Sequence, residues 1–394
     1  MRFWGITGTN GKTTTTWIAA AFINADPARK CGYVTTVEVN TGTRQFYTGY
    51  TTPPLNQLKE IFAEMEANGC TDCVMEVSSH AIHQHRTGDT VFSGGVFTNL
   101  SEDHLDYHKT MEAYFDVKLD FARQIAAAHP TTPDMGRRDL PPYVVCLDGG
   151  YGREMFNAVG NLAVNVIPVS IDCNRQPSTA FDLTGLRLVG DYNKSNVLCA
   201  AALAEAAGVP HEAIQAVIPT LKPRWGRLEE VKSKSGKLKS RVFVDFAHTP
   251  DGLEKVLTAV RAEMCRASNN QTIKQSDNSL WVVFGAGGDR DPMKRPLMGA
   301  ACAKLADRLV VTSDNPRSED PMAIIDAILG GIDSDRRPSV AIEPDRRAAI
   351  EFALREAADG DVVIIAGKGH ETTQEVKGVK HPFDDREVVR NFKG

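Results

Sequence analysis

What this chain has little of sets its first limits. Only 8 of 394 residues are cysteine, and they are scattered. Cys70 and Cys73 form a C-x-x-C pair with no second pair at zinc-finger spacing, so reduced thiols packed as small apolar groups are expected. No apolar run approaches the ~20 residues of a membrane-spanning helix, and no membrane partner is expected. The opening residues run directly into a glycine-rich loop and lack the ordered charged, apolar and cleavage segments of a leader, so a cytoplasmic location is expected. An excess of positive charge is also missing: 45 Lys and Arg against 50 Asp and Glu leave a net charge of −5. No nucleic-acid partner is expected, and anionic ligands have to be met by local basic groups.

The size suits two or three domains, and 42% apolar with 24% charged residues is the make-up of an ordinary globular protein. Strand-like runs lie at Phe3–Thr7, Cys73–Val77 and Val96–Leu100, and again at Arg241–Phe246, Trp281–Phe284, Arg308–Thr312 and Asp361–Ala366. Helical patterns cover Lys12–Ile23, Met111–Ala127 and Asn193–Ala207, while His129–Pro142 reads as a surface loop. Pro223-Arg-Trp-Gly226 reads as a hinge between domains spanning 1–223 and 224–394. The alternation implies an α/β protein with a mainly parallel sheet in each half. In such sheets ligands sit at the C-terminal ends of strands, where most of the polar motifs fall.

Gly8-Thr9-Asn10-Gly11-Lys12-Thr13 follows a strand and opens a helix. Glycines let backbone N–H groups turn toward a phosphate, and the helix N-terminus adds partial positive charge. Lys12 would pair with the β- and γ-phosphates and Thr13 would bind Mg²⁺. The loop is shorter than the general pattern, and by itself it would serve a kinase, an ATPase or a ligase. Glu76, closing a strand, suits a hard cation that prefers oxygen. His80, His83 and His85 match neither a zinc finger nor a helical H-E-x-x-H pair. Lys118 shares an apolar helical stripe with Tyr114, Val117, Phe121 and Ile125. A lysine there must snorkel, pair or lose its charge, and a neutral amine can react with CO₂ to give an anionic carbamate. Periodicity alone favours snorkelling.

Gly-Thr-Asn-Gly-Lys-Thr-Thr resembles the signature of the Mur ligase family, which includes folylpolyglutamate synthase. The resemblance runs over nearly the whole chain. It is closest to the MurE branch, which adds meso-diaminopimelate or lysine to UDP-N-acetylmuramoyl-L-Ala-D-Glu. The resemblance implies a P-loop central ATPase domain followed by a Rossmann-like C-terminal domain. It implies an ATP-dependent, ADP-forming ligase that turns a carboxylate into an acyl phosphate for an amine to attack. ATP would be bound by Gly8, Thr9, Asn10, Gly11, Lys12, Thr13 and Thr14, with Asn193, Arg227, Asp245 and His248. The metal positions are Thr13, Glu76, His104 and a carbamylated Lys118; Lys12, Glu76, His104 and Lys118 carry the chemistry. Thr51, Thr52, Ser78, Gln84 and Arg86 match the acceptor site. Asp314-Asn315-Pro316-Arg317 matches the motif of the diaminopimelate-adding enzymes, with Arg290 a second positive group and Gly367 and Glu371 at the ammonium end. Guanidinium binds carboxylate in two-pronged fashion, and diaminopimelate has a distal carboxylate that lysine lacks.

The pattern departs from the family at two points. Members of the MurE branch normally carry a uridine-diphosphate-binding domain ahead of the phosphate loop, whereas folylpolyglutamate synthase is two-domain, and here that loop begins at Gly8; Tyr50 also stands where asparagine is common. The expectations are an acceptor that is a muramoyl-dipeptide or a related D-Glu compound, with the chain trimmed of that domain or a partner supplying it, or a UDP-free acceptor in peptide or specialised-metabolite synthesis.

Overall fold

Strand β1 (Arg2–Thr7) is buried from Trp4 onward. It lies between β5 (Asp72–Glu76) and β6 (Phe92–Phe97), both parallel to it. A strand covered on both faces has to be apolar throughout, which is why these segments read as continuous runs. The computed structural model describes residues 1–132, 134–172, 181–267 and 278–394, and divides into two units, Met1–Leu221 and Lys222–Gly394.

In the first unit β2 (Cys31–Val34), β3 (Val39–Asn40), β4 (Gln45–Phe46), β7 (Pro142–Cys146) and β8 (Asn165–Val169) complete an eight-stranded sheet in the order β4-β3-β2-β5-β1-β6-β7-β8. Among the described residues the antiparallel pairings are β2–β3 and β3–β4, at one edge, so β3 runs against the other strands. Helix Lys12–Ile23 packs against the Ala-rich helix Asp191–Ala206. Four consecutive threonines make the first of these a poor helix by propensity, so packing maintains it. β6 starts four residues before the expected Val96 and ends at Phe97. Gly94 and Gly95 interrupt its pattern for a packing reason: a Cβ at Gly94 would sit 2.7 Å from the Pro142 carbonyl, and one at Gly95 would sit 2.9 Å from Ile125. At the opposite sheet end, buried Asp72 accepts the Trp4 indole N–H at 2.9 Å and pairs with Arg29.

The second unit has β9 (Glu229–Glu230), β10 (Arg241–Asp245), β11 (Leu280–Phe284), β12 (Arg308–Val311), β13 (Ala341–Ile342) and β14 (Val362–Ala366), in the order β13-β12-β11-β14-β10-β9. All pairings are parallel except that of β9. A separate hairpin, β15 (Thr373–Val376) with β16 (Val379–Pro382), follows; its short polar strands have no apolar run to announce them. Among the described residues no helix is long and apolar enough to cross a membrane.

Candidate active site

The glycine loop of the first unit leaves the end of β1. Gly8 has φ +143° and Gly11 φ +84°, values that side-chain-bearing residues rarely adopt. A Cβ at Gly8 would lie 2.0 Å from Thr98 Oγ1, and one at Gly11 2.4 Å from Asn196 Oδ1. The loop is held from outside: the Asn10 N–H donates to Asn99 Oδ1 at 3.0 Å, the Thr98 hydroxyl to the Asn10 carbonyl at 2.7 Å, and the Thr9 N–H to the Asn99 carbonyl at 2.9 Å. Thr14 is buried below it. Asn193 and Asn196 are buried on the adjoining helix; Asn196 accepts the Thr15 hydroxyl at 3.3 Å and donates to Asn193 Oδ1 at 3.3 Å.

Lys12 folds back over this loop, its Nζ 3.0 Å from the Gly8 carbonyl and 2.7 Å from that of Thr9. Lys118, 1% exposed, donates to the same Gly8 carbonyl and to Thr7 Oγ1, both at 3.0 Å. Burial, reinforced by the Lys12 charge, pushes its amine well below the ordinary lysine range, against Asp103 and Glu76. On this helix, Met111–Ala128, the buried line runs Tyr114, Lys118, Phe121, Ile125; Val117, expected on the line, is only partly buried. Lys118 therefore occupies a core position and does not snorkel.

The Thr13 hydroxyl donates to Glu76 Oε1 at 2.7 Å, and Glu76 also accepts the Thr36 N–H at 2.8 Å and its hydroxyl at 3.2 Å. His104, at φ 55°, stands edge-on to His80 with centroids 5.1 Å apart. Although 43% of its side chain remains exposed, lost hydration together with the charges of Lys12, His80 and Lys118 brings its imidazole down to about 4; Asp103, 3.5 Å away, opposes this. Among the described residues no three His, Cys, Asp or Glu side chains gather to hold a metal ion, His80, His83 and His85 included. Thr13 and Glu76 are nonetheless adjacent oxygen donors in a buried setting, a donor set that fits a hard divalent cation.

The acceptor candidates surround the end of β5. Thr52 is fully buried and donates to the Glu76 carbonyl at 2.9 Å, and the Ser78 N–H donates back to Thr52 Oγ1 at 3.0 Å. Thr51 Oγ1 accepts the Thr36 hydroxyl at 2.9 Å. Arg86 reaches the Thr52 carbonyl at 3.3 Å and Gln84 Oε1 at 2.8 Å.

In the second unit, buried Asp245 ends β10 and accepts the N–H groups of Leu228 at 2.6 Å and Ala247 at 2.7 Å; burial raises its carboxyl, and Arg227 opposes that. Arg227 lies over the Phe246 ring at 4.6 Å, and His248 and His370 flank that ring. Arg317, at φ 51°, donates to the Gly288 carbonyl at 2.5 Å and lies 3.8 Å from Glu375. Pro316 presses on Gly288, where a Cβ would meet its carbonyl at 2.0 Å. A Cβ at Gly287 would lie 3.0 Å from Arg317 Nη1 and 3.6 Å from Arg290 Cγ, so the two arginines share this corner. Glu371 Oε2 is held by Lys368 Nζ and Asn315 Nδ2, both at 2.8 Å. Asp314 Oδ2 is buried with no hydrogen-bond partner and faces Gly367.

Residues 6–204 match the Mur ligase middle domain, and residues 226–369 the Mur ligase glutamate ligase domain. The chain belongs to the Mur ligase family. The UDP-N-acetylmuramoyl-L-alanyl-D-glutamate–2,6-diaminopimelate ligase of Ralstonia nicotianae is 40% identical over 406 residues, covering 99% of this chain and 75% of the relative. Its counterpart from Neisseria meningitidis serogroup A is 37% identical over 411 residues, covering 99% and 77%. A solved structure of a ligase of that name matches with TM-score 0.58 at 32% identity, over 99% of this chain and 77% of the other. A folylpolyglutamate/dihydrofolate synthase from Yersinia pestis, solved with AMPPNP and a manganese ion, matches at TM-score 0.62 and 17% identity, over 94% and 86%, which speaks to fold alone. Mur ligases are ATP-dependent, ADP-forming amide ligases, and ATP with a divalent metal is the cofactor requirement of the family.

Several residues at the candidate site carried no clear signal in the sequence. Thr36 ties Glu76 to Thr51; a threonine pair after a strand end was its only mark. Tyr114 reads as core, yet its hydroxyl meets Thr9 Oγ1 at 3.1 Å. Lys368 is fully buried and holds Asn315 Oδ1 at 3.0 Å.

Proposed function

We propose that this Mur ligase joins meso-diaminopimelate to the D-glutamate γ-carboxylate of a muramoyl-dipeptide acceptor, with ATP cleaved to ADP and phosphate. The observation that carries this reading is the convergence of Lys12 and Lys118 on one loop carbonyl, beside the buried Thr13–Glu76 pair. Lys12 offers positive charge where the γ-phosphoryl group would transfer, the requirement of phosphoryl-transfer catalysis, while buried Lys118 stands at the same loop as the amine that a carbamate would convert into a metal-holding anion. The unit 1–221 serves ATP and acceptor, and the unit 222–394 serves the amino acid.

The acceptor carboxylate, presented by Thr51, Thr52, Ser78, Gln84 and Arg86, attacks the γ-phosphorus. The bond to ADP breaks and an acyl phosphate forms. The α-amine of diaminopimelate then attacks the carbonyl carbon, the new amide forms, and phosphate departs. Lys12 swings from its carbonyls to the transferring phosphoryl oxygens. Thr13 and Glu76, with His104 and a carbamylated Lys118, would hold magnesium, which supplies charge neutralisation at the phosphates. The amine pushed toward neutrality by burial is the form that CO₂ can modify. Arg317 and Arg290 take the distal carboxylate of diaminopimelate, Gly367 and Glu371 its distal ammonium, and Asp314 and Asn315 complete the amino-acid site. The reaction belongs in the cytoplasm, where ATP is supplied.

The test is ADP release with mass-spectrometric product detection. Purified protein receives ATP, magnesium and diaminopimelate with UDP-muramoyl-dipeptide, or with the same dipeptide lacking UDP. ADP should appear only with acceptor and amino acid together, matched one-to-one by amide. ADP release that ignores both substrates would refute the proposal. Amide from the UDP-free acceptor alone would move the assignment to a nucleotide-free substrate.

A further inference from the structure

Arg346, the first residue of helix Arg346–Glu356, is 1% exposed, and Asp385, the first of helix Asp385–Arg390, is 0% exposed. They meet in a two-pronged pair, Nε to Oδ1 and Nη2 to Oδ2, both 2.8 Å. Two further donors of the guanidinium go to main chain: Nη1 to the Ser313 carbonyl at 3.2 Å and Nη2 to the Ala366 carbonyl at 2.9 Å. Ser313 immediately precedes Asp314 and Ala366 immediately precedes Gly367. The two carbonyls follow or end β12 and β14, which are not paired to each other because β11 runs between them. The sheet therefore links these strand ends only through β11, with no direct hydrogen bond from strand to strand. Arg346 spans their separation directly.

Between the strand ends lies an unsatisfied group. Asp314 Oδ2 is buried without a partner, an arrangement rare in folded proteins. It faces the bare backbone of Gly367, whose φ is +114°; a Cβ there would lie 2.6 Å from Asp314 Oδ2 and 3.9 Å from Arg346 Nη2. A small change in the separation of Ser313 and Ala366 would thus move Asp314 relative to Gly367.

We propose that Arg346, oriented by Asp385, is a positioning residue for amino-acid binding, holding the Asp314–Arg317 and Gly367–Glu371 loops at the separation that the diamino acid needs. This rests on the proposed function, which assigns those loops to that substrate. The pair itself touches no substrate. A buried ion pair is weak evidence of net stability, since an apolar replacement often serves as well, so its effect belongs to placement.

The test compares Arg346→Lys, Asp385→Asn and Arg317→Ala in the full chain, with melting temperature and KM for diaminopimelate, ATP and acceptor measured on each. Arg346→Lys keeps the charge but cannot reach both carbonyls and Asp385 at once. Its KM for diaminopimelate should rise about tenfold or more, since displacements near 1 Å cost up to 100-fold, while KM for ATP stays within about twofold. Asp385→Asn should raise the same KM alone. If either variant raises all three constants together, loses stability with KM for diaminopimelate unchanged, or fails to fold where the other shows no selective effect, the pair is only structural and the proposal falls. Failure of both to fold overturns it equally. Arg317→Ala separates the two levels: an unchanged KM for diaminopimelate there removes the site assignment itself, whatever Arg346 does.

Discussion

Replacing Lys118 by Met should separate activity from stability. The side chains are similar in length, and the position is 1% exposed. The amine gives up two hydrogen bonds, worth together about 1–3 kcal/mol. Neither acceptor is orphaned: the Gly8 carbonyl keeps Lys12 at 3.0 Å, and the Thr7 hydroxyl still donates to the Val77 carbonyl at 2.7 Å. Against that loss stands release of a desolvated amine, worth several kcal/mol where the group is charged. The expected net effect is a protein within about 1 kcal/mol of the parent, or more stable. Activity should fall by about 10³-fold or more, the scale for removing one preorganised group from a charge-developing transition state. Urea unfolding gives the first quantity and ADP release at saturating substrates the second. A variant that unfolds about 3 kcal/mol more easily would show Lys118 to be a structural residue. A parental turnover rate would refute a catalytic role altogether.

Lys12→Ala should abolish ADP release with the fold intact by circular dichroism; parental turnover would remove the phosphate loop from the mechanism. Arg317→Ala should lower kcat/KM for diaminopimelate by tens to thousands of fold, for about 2–5 kcal/mol of lost charge-assisted pairing, and leave lysine use unchanged or improved. Gly11→Ala, at φ +84° and 2.4 Å from Asn196, should cost about 1–3 kcal/mol in urea unfolding and impair ATP use. His370, whose imidazole burial and the charges of Arg227, Arg386, His248 and Lys368 hold down to about 3, gives a pH test. The unfolded chain takes up that proton near pH 6.5 and the folded one does not, so stability falls with pH from about 6.5 toward 3, by up to about 1.4 kcal/mol per unit. In His370→Gln that part of the slope should vanish; an unchanged slope would mean that other groups account for acid sensitivity.

Local pattern determined a good part of this molecule. β1, the glycine loop and helix Lys12–Ile23 could be read because a continuous apolar run, residues permissive of positive φ and a helix start follow one another within twenty-odd residues. Lys118 could be placed on a core line because 3.6-residue periodicity is a one-dimensional property. Tertiary structure alone decided that Lys118 and Lys12 meet at Gly8, that Thr36 engages Glu76, and that β11 separates the two strands whose ends Arg346 bridges. The early start of β6 was hidden for the same reason: Gly94 and Gly95 are small to admit Pro142 and Ile125, neighbours that no local pattern contains. Periodicity reports which way a side chain points relative to its own element. Which groups it then meets depends on strand order and loop closure, and these bring together residues more than a hundred positions apart, as Lys118 and Thr7 are.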